Sequence, residues 1–357
     1  MVKCILPSAV TTVKPDRQCP HCKRRYGNIH TRIKHRPISD MRMASMPQRR
    51  MKCPFCGTTW TIHAEGITSG KHRSDRLIAF GVLLYMFGLS CRQVQMILEA
   101  LGCKGTKSTV ERDVHTSGKR AQALHCQGPK LKVRTLGVDG TGAKMAGQKA
   151  GLLFFTDIER GRLLRVEAIN ETDTKKAREH IRSVMAEYGA EFLRTDELSV
   201  YNGVFPDDPD RHSICQAHWL KSKCRRSYEL SQQLKAEGLS YESQTMLELR
   251  QLLHDKRSSP TVPAEIERFV MRFINCHRGT LWKVNQLLQH IERSWPYVAR
   301  GPGDPTNNVT EQIIGLTYKI RAKTMRGFKS WDKALEHPYL SEFLRGEDGV
   351  CDLRKVV

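Results

Sequence analysis

Three apolar runs, VRTLGVDGTGA (133–143), AGLLFFTDIE (150–159) and GRLLRVEAIN (161–170), follow one another with short glycine-containing turns between them. Their β-branched and aromatic residues are typical of strands, and the short turns predict an antiparallel meander. The next segment, TKKAREHIRSVMAEYG (174–189), carries apolar residues at helical spacing, and AEFLRTDELSVY (190–201) is again typical of a strand. The sequence therefore predicts the order strand, strand, strand, helix, strand.

A fifth, shorter strand is predicted within RHSICQAHW (211–219). The order βββαβ(α)β is the signature of an RNase H-like core, in which two parallel strands extend three antiparallel ones. We therefore predict an α/β catalytic domain over residues 130–357. Residues 219–300 have helical periodicity, so we expect an α-helical insertion within that domain at about residues 225–295.

The chain is strongly basic. Its 357 residues, enough for roughly two or three domains, include 59 Lys and Arg against 37 Asp and Glu, a net charge of +22. An excess of this size indicates a polyanionic partner, and we expect double-stranded DNA. The best apolar run, LIAFGVLLYMFGL (77–89), is too short to span a bilayer, and the N-terminus lacks the apolar stretch of a signal peptide. We therefore expect a cytoplasmic, nucleoid-associated protein.

Two similar turns, CPHC (19–22) and CPFC (53–56), mark residues 1–70. Zinc in structural sites prefers four soft ligands in a tetrahedron, and each turn supplies two thiolates. We therefore predict a zinc-ribbon-like module with one structural Zn²⁺ bound by Cys19, Cys22, Cys53 and Cys56. A redox role for the cysteine pairs is the alternative. The histidines that could replace a cysteine as ligand are His21, His30, His35 and His63.

Residues 71–128 read as helical. Ser90 and Ser108 are predicted N-caps, and Gly102 is predicted to end the helix between them. A helix, a glycine-containing turn and a second helix with polar residues outward predict a helix-turn-helix DNA-binding domain. An ordinary helical linker is the alternative. The residues predicted to contact DNA are Thr109, Arg112, His115 and Lys119.

Three acidic residues occupy unlike settings. Asp139 follows an apolar strand, Asp196 ends another, and Glu311 lies on a predicted helix. Two divalent cations about 4 Å apart need carboxylates from elements that are distant in sequence. We therefore predict that these three residues bind two Mg²⁺ or Mn²⁺ ions for phosphodiester chemistry. A single Asp at a strand end can instead be a turn residue, and nearby alternatives are Asp157, Glu159, Glu167 and Glu197.

Basic residues follow Glu311 on its predicted helix and beyond it. The apolar residues of this helix, Val309, Ile313, Leu316 and Ile320, recur at helical spacing, so we expect them to form the buried face, with Glu311 on the opposite side. The following residues can hold DNA phosphates, and those predicted to do so are Lys319, Arg321, Lys323, Arg326 and Lys329.

Three features together resemble the DDE transposases of prokaryotic insertion sequences. They are NNVTE (307–311) with the basic run ending in MRGFKS (325–330), the CQAH motif (215–218), which resembles the C(2)H motif of Mutator-like enzymes, and the N-terminal modules. The resemblance implies that Asp139, Asp196 and Glu311 bind the metal ions. The residues it implies as supporting the site, or binding near the DNA end, are Cys215, His218, Asn307 and Asn308.

The same resemblance implies a function. Such an enzyme binds the terminal inverted repeats of a transposon, cleaves the DNA strands and joins them to target DNA, as a homodimer or higher oligomer. A transposase-derived DNA-binding protein without activity, or another RNase H-like nuclease such as a junction resolvase, remains open. Trp282 and Trp295 either stack on an unpaired base or pack between helices.

Overall fold

The structure is a computed structural model. It describes residues 3–10, 17–25, 27–30, 34–62, 65–68, 70–145, 147–169, 173–197, 199–201, 203–205, 207–255, 262–273, 278–298, 306–324, 328–346 and 349–357. The chain forms two compact units. The first unit contains Met1–Gly128 and Thr317–Val357, and the second unit contains Pro129–Leu316.

The elements of both units are named in chain order. The strands are β1 (Lys3–Ile5), β2 (Asn28–Ile29), β3 (Lys34–Pro37), β4 (Ser45–Lys52), β5 (Thr59–Ile62), β6 (Thr135–Met145), β7 (Gln148–Asp157), β8 (Arg162–Glu167), β9 (Phe192–Thr195), β10 (His212–Ile214) and β11 (Val350–Asp352). The helices are α1 (Asp75–Met86), α2 (Cys91–Ala100), α3 (Lys107–Gln127), α4 (Thr174–Tyr188), α5 (Gln216–Ala236), α6 (Ser240–Asp255), α7 (Val262–Val270), α8 (Arg278–Val298), α9 (Asn308–Ile314), α10 (Ile320–Thr324) and α11 (Trp331–Arg345).

The first unit begins with a small antiparallel sheet centred on β4, which pairs with β2, β3 and β5. Met46 and Met51 on β4 are fully buried. The two CPxC turns flank this sheet, one before β2 and the other between β4 and β5. The chain ends pair with each other through the parallel strands β1 and β11.

Helices α1, α2 and α3 follow. Ser90 caps α2 as predicted, because its hydroxyl accepts a hydrogen bond from the Gln93 N–H while the Gln93 side chain accepts one from the Ser90 N–H. Gly102 follows α2 with a φ of +76°, a conformation that favours glycine. The predicted cap of α3 at Ser108 is wrong. Thr106 caps this helix, since its hydroxyl accepts a hydrogen bond from the Thr109 N–H at 3.2 Å.

The C-terminal segment packs with the first unit. Helix α11 lies against α3, and Leu340 joins Ile78 and Ala121 in one apolar cluster together with Leu353 and Val356. The sequence analysis assigned residues 317–357 to the catalytic domain, whereas the structure joins them to the helices of residues 71–128. The physical reason is that α11 supplies apolar surface that α1 and α3 need to complete a core.

The second unit is built on a mixed five-stranded sheet in the order β10-β9-β6-β7-β8. Strands β6, β7 and β8 are antiparallel, and β9 and β10 run parallel to β6. Helix α4 covers the sheet through Ile181 and Val184, which cluster with Leu136, Val138 and Leu193. The predicted mixed α/β architecture, with three antiparallel strands followed by two parallel ones, is confirmed.

Helices α5 to α8 form a second core in this unit. Trp219, Leu234, Val284 and Ile291 are buried in it, and Trp295 packs edge-on against Trp219 with ring centroids 5.3 Å apart. Trp295 is therefore a packing residue. Trp282, by contrast, is 60% exposed.

Helix α9 packs against β6 and β7. Its predicted apolar face is partly wrong, since Leu316 and Ile320 are exposed, whereas Thr310, Ile313 and Ile314 are buried. A threonine can take the inner position because its hydroxyl finds partners there. Thr310 Oγ1 lies 2.7 Å from Thr156 Oγ1 and donates to Asn307 Oδ1 at 2.6 Å.

Gly137 permits this close approach. A Cβ at Gly137 would lie 2.6 Å from Thr156 Oγ1 and closer still to Thr310 Oγ1, and real Cβ atoms do not approach other atoms so closely. Both hydroxyls are buried, so neither can move into solvent. A side chain here would push α9 away from the sheet.

We predict that Gly137→Ala destabilises the protein by about 1–3 kcal/mol, because overpacking forces the backbone or the threonines to shift. Urea unfolding curves measure the change. Gly142→Ala is the matched control, since Gly142 lies in the same strand with no atom within 4 Å of the added Cβ. Equal stability of the two variants would contradict the tight packing of α9.

His212 on β10 predicts a pH dependence. It is buried, its Nε2 lies 2.9 Å from Thr195 Oγ1, and burial lowers its pKa to about 4. Between the ordinary histidine pKa of about 6.5 and this value, the unfolded chain binds a proton that the folded chain excludes. Stability should therefore fall as the pH drops through this window.

His212→Gln should reduce that loss of stability, measured as urea midpoints from pH 7 to pH 4. The control is His254→Gln, which removes an exposed histidine of the same unit and should leave the slope unchanged. The assignment fails if both variants keep the wild-type slope.

Candidate functional site

Asp139 lies on β6, and Asp196 directly follows the neighbouring parallel strand β9. In the pairing of β6 with β9, Gly137 lies opposite Arg194, and each aspartate comes two residues after that pair, Asp196 just past the end of its strand. Paired strands lie about 4.8 Å apart, so the two residues lie near each other where this pairing ends. Both are half-buried, and Asp139 Oδ1 accepts a hydrogen bond from the Gly140 N–H at 2.8 Å.

Asn307 anchors the start of α9 beside Asp139. Its Nδ2 donates to the carbonyl oxygen of Val138 at 3.2 Å, and only 1% of the residue is exposed. Its own carbonyl accepts from the Glu311 N–H at 3.2 Å, which begins the first turn of the helix. Glu311 therefore lies one turn from a residue that is fixed to the strand of Asp139.

The CQAH motif contacts the same helix. Cys215 follows β10 and is fully buried, and its Sγ accepts a hydrogen bond from the Asn307 N–H at 3.1 Å. His218 Nδ1 lies 3.3 Å from that sulfur, and His218 Nε2 lies 2.6 Å from Glu311 Oε1. The structure therefore brings together three of the four predicted supporting residues with Glu311. The fourth, Asn308, is an exposed residue in the first turn of α9.

The three acids do not form a tight cluster. Across the part of the chain that the structure describes, only the four cysteines of the CPxC turns place three or more ligand atoms within 4.8 Å of one another. The Glu311 carboxylate is directed to His218 instead. Among the described residues, the three predicted acids therefore do not form a cluster of ligand atoms, and Glu311 lies on a helix that packs against β6 and β7.

The four acids considered as alternatives all have other partners. These contacts join Asp157 to Arg160 at 2.6 Å, Glu159 to the Thr135 N–H at 3.3 Å, Glu167 to Arg165, and Glu197 to Lys223 and His290. Asp157 is 2% exposed, which suits a structural ion pair rather than a ligand site.

Glu197 connects the Asp196 segment to the helices α5 and α8. Lys223 on α5 forms an ion pair with it, and His290 Nε2 on α8 lies 2.8 Å from its Oε1. Burial acts to raise the pKa of Glu197, but the hydrogen bonds with His290 and Lys223 outweigh it and hold that pKa below its usual value. Burial lowers the pKa of Lys223, partly offset by Glu197. Sequence reasoning missed this network, since nothing in the spacing of α5 marks a lysine as buried.

The four cysteines of the CPxC turns do converge. Their sulfurs all lie within 4.8 Å of one another, with Cys19 to Cys56 at 3.6 Å and Cys22 to Cys53 at 3.5 Å. The two turns share one hydrogen-bond pattern, in which the carbonyl of the first cysteine accepts from the N–H four residues later. That later residue, Lys23 or Gly57, has a φ of +61° or +70°.

None of the described histidines belongs to this cysteine cluster. His21, His30 and His35 are outside it, and His63 lies outside the described residues. Among the described residues, the cluster therefore consists of the four cysteine sulfurs.

The predicted DNA contacts of α3 divide into two pairs. Arg112 and Lys119 are exposed and available to a partner. Thr109 bonds Thr106 at the helix cap, and His115 Nδ1 lies 2.5 Å from Glu336 Oε2 on α11. These two side chains stabilise the first unit, so their assignment as DNA contacts is not supported by the geometry.

The basic run after Glu311 is similarly divided. Lys323 and Lys329 are exposed, and Lys319 is half-buried. Arg321 is buried, donates to the carbonyls of Gly88 and Leu89 at 2.9 and 3.1 Å, and lies over the Tyr85 ring at 3.9 Å. Its prediction as a phosphate contact is corrected, because its guanidinium donates hydrogen bonds to the two carbonyls that follow α1. Arg326 lies outside the described residues.

Among the described residues, no helix combines the length and the apolar character needed to cross a bilayer. Comparison of the chain with protein-family models and with curated proteins gives no match.

Proposed function

We propose that the chain is a DNA-cleaving and strand-joining enzyme of the DDE transposase type, with an RNase H-like core. The observation that carries this proposal is the placement of Asp139 on β6 and of Asp196 directly after the adjacent parallel strand β9, beside a helix whose first turn is anchored at Val138 and carries Glu311. Carboxylates from three separate elements are what metal-dependent phosphoryl transfer requires.

The donor set suits Mg²⁺ or Mn²⁺, since carboxylate oxygens are the ligands that these hard cations prefer. Asp139, Asp196 and Glu311 would hold the ions, which would activate a hydroxyl group and stabilise the leaving 3′-oxygen. Asn307 and Cys215 fix the helix that carries Glu311. His218 is a positioning residue, because its contact at Oε1 orients the Glu311 carboxylate.

We also propose one structural Zn²⁺ at Cys19, Cys22, Cys53 and Cys56. A tetrahedron with Zn–S bonds of about 2.3 Å has its sulfurs about 3.8 Å apart. The observed separations of 3.5 and 3.6 Å fit that geometry. The ion would tie the two CPxC turns to the sheet around β4.

The proposed partner is double-stranded DNA, both transposon ends and target, bound by a homodimer or higher oligomer at the nucleoid in the cytoplasm. The net charge of +22 supports this partner, as do the exposed cations Arg112 and Lys119 on α3 and Lys323 and Lys329 after Glu311. Helices α2 and α3 would recognise the ends as a helix-turn-helix.

One observation favours a second candidate, a DNA-binding protein without strand-cleaving activity. The Glu311 carboxylate contacts His218, and the three acids do not gather within ligand distance of one another. The cleavage experiment below separates the two candidates.

Asp139→Asn, Asp196→Asn and Glu311→Gln should each abolish Mg²⁺-dependent DNA cleavage, lowering the rate by about a hundredfold or more, because each removes a negative ligand from the same ions. Fold and DNA affinity should persist, since the substitutions are nearly isosteric. Gel assays of labelled DNA measure cleavage, and gel shifts measure binding.

Asp207→Asn is the matched control, an exposed aspartate of the second unit that should retain full activity. Wild-type cleavage by the Glu311→Gln protein would remove Glu311 from the site. No cleavage by the wild-type chain on DNA that it binds would instead support the second candidate.

Elemental analysis of the purified protein should find one zinc ion per chain, and Cys53→Ser should lose it and destabilise the sheet around β4. Cys126→Ser removes an exposed cysteine outside the cluster and should keep the metal. Wild-type protein that folds fully without zinc would contradict the assignment.

A further inference from the structure

Helices α5 and α8 enclose a groove of about 300 Å³ on the second unit. Three cationic side chains line it, Arg225 and Arg226 from α5 and Lys283 from α8, with Lys223 and His290 at one end. Its lining is mainly polar, which does not suit an apolar peptide. The groove was not among the DNA-binding segments that the sequence indicated.

Among the described residues, the positive charge of this groove is only partly compensated. Glu229 is the acid among the described lining residues. It forms long ion pairs with both arginines, 3.6 Å from Arg225 and 3.8 Å from Arg226. Such exposed pairs contribute little and open readily. The Nζ of Lys283 donates to the neutral Gln233 Oε1 at 3.1 Å. Apart from the Lys223–Glu197 pair, the groove keeps an excess of two positive charges.

One end of the groove contacts the residue that follows Asp196. Lys223 and His290 both line it, and both contact Glu197, the residue directly after Asp196. Lys223 is buried, so this end is held in place by an ion pair rather than by a flexible surface contact. A phosphate chain lying along α5 and α8 would therefore lead to the Asp139 and Asp196 pair.

We infer that the groove between α5 and α8 binds the backbone phosphates of duplex DNA next to the proposed cleavage site. The inference rests on the proposed function for the position of the cut. Arginine and lysine are the side chains that bind phosphate, and cations beside a carboxylate site counter its repulsion of the backbone. Contacts with phosphates carry no sequence information, so we expect this binding to be independent of sequence.

The test uses the full chain and a fluorescein-labelled duplex of arbitrary sequence, about 30 base pairs long, enough to present many phosphates. Anisotropy titrations over a range of salt concentrations measure the affinity and its salt dependence. The variant Arg225→Ala/Arg226→Ala/Lys283→Ala should bind about tenfold more weakly or worse. Its slope of log K against log salt should be smaller by about 3, one per lost phosphate contact.

The matched control is Lys175→Ala/Lys235→Ala/Arg268→Ala, which removes the same charge from exposed positions of the same unit outside the groove. It should keep a slope near that of the wild type. Equal slopes for the two triple variants would overturn the inference.

A second measurement tests the groove without the triple variant, in case that variant fails to fold. A benzophenone amino acid replaces Gln286, which lines the groove, or Gln244, which is exposed on α6. Ultraviolet light should crosslink the duplex to the first protein at least about tenfold more than to the second, since benzophenone reacts only with groups in contact. Equal crosslinking would reject the groove.

Binding and cleavage are read separately, so the two proposals can fail separately. If the wild-type chain binds DNA through the groove without cutting it, the groove inference stands and the proposed enzyme activity is rejected. If the chain cuts DNA but its binding does not depend on the groove, the enzyme activity stands and the groove inference is rejected. A chain that binds no duplex rejects both.

Discussion

The close approach of α9 to β6 at Gly137 is the constraint on which the candidate site depends. Without a side chain at Gly137, Thr310 comes into hydrogen-bond contact with Thr156 on the neighbouring strand β7. The helix that carries Glu311 is therefore held against the strand that carries Asp139. A carboxylate on a helix can serve a site on a sheet only if the two elements keep a fixed distance.

Buried polar contacts help to set the position of that helix. Asn307 bonds the carbonyl of Val138, and Cys215 accepts the Asn307 N–H. An unpaired polar group in such a place costs free energy, so each contact specifies one arrangement. The CQAH motif and the NNVTE segment lie far apart in sequence, but hydrogen bonds join them in one local structure.

The predicted DNA contacts of the first unit differ in their exposure. In the first unit, Thr109 forms a hydrogen bond with Thr106 at a helix cap, and His115 contacts the buried carboxylate of Glu336. Arg321 donates to two carbonyls of the same unit. Arg112, Lys119, Lys323 and Lys329 remain exposed. A positive charge in the sequence therefore does not identify a phosphate contact until its burial and partners are known. The groove between α5 and α8 is the opposite case, since only folding brings its cations together.

The sequence by itself determined the elements whose signals are local. Apolar runs rich in β-branched and aromatic residues predict β6 to β9, capping residues predict α2, and the repeated CPxC spacing predicts the sulfur cluster. Apolarity alone misjudged α9, because the inward Thr310 is polar and finds its partners on β7 and at Asn307. Only the tertiary structure decided the union of residues 317–357 with the first unit, the contact of His218 with Glu311 and the burial of Lys223. His218 and Glu311 lie 93 positions apart, and the helices α3 and α11 lie more than 200 apart. No local pattern encodes such pairings.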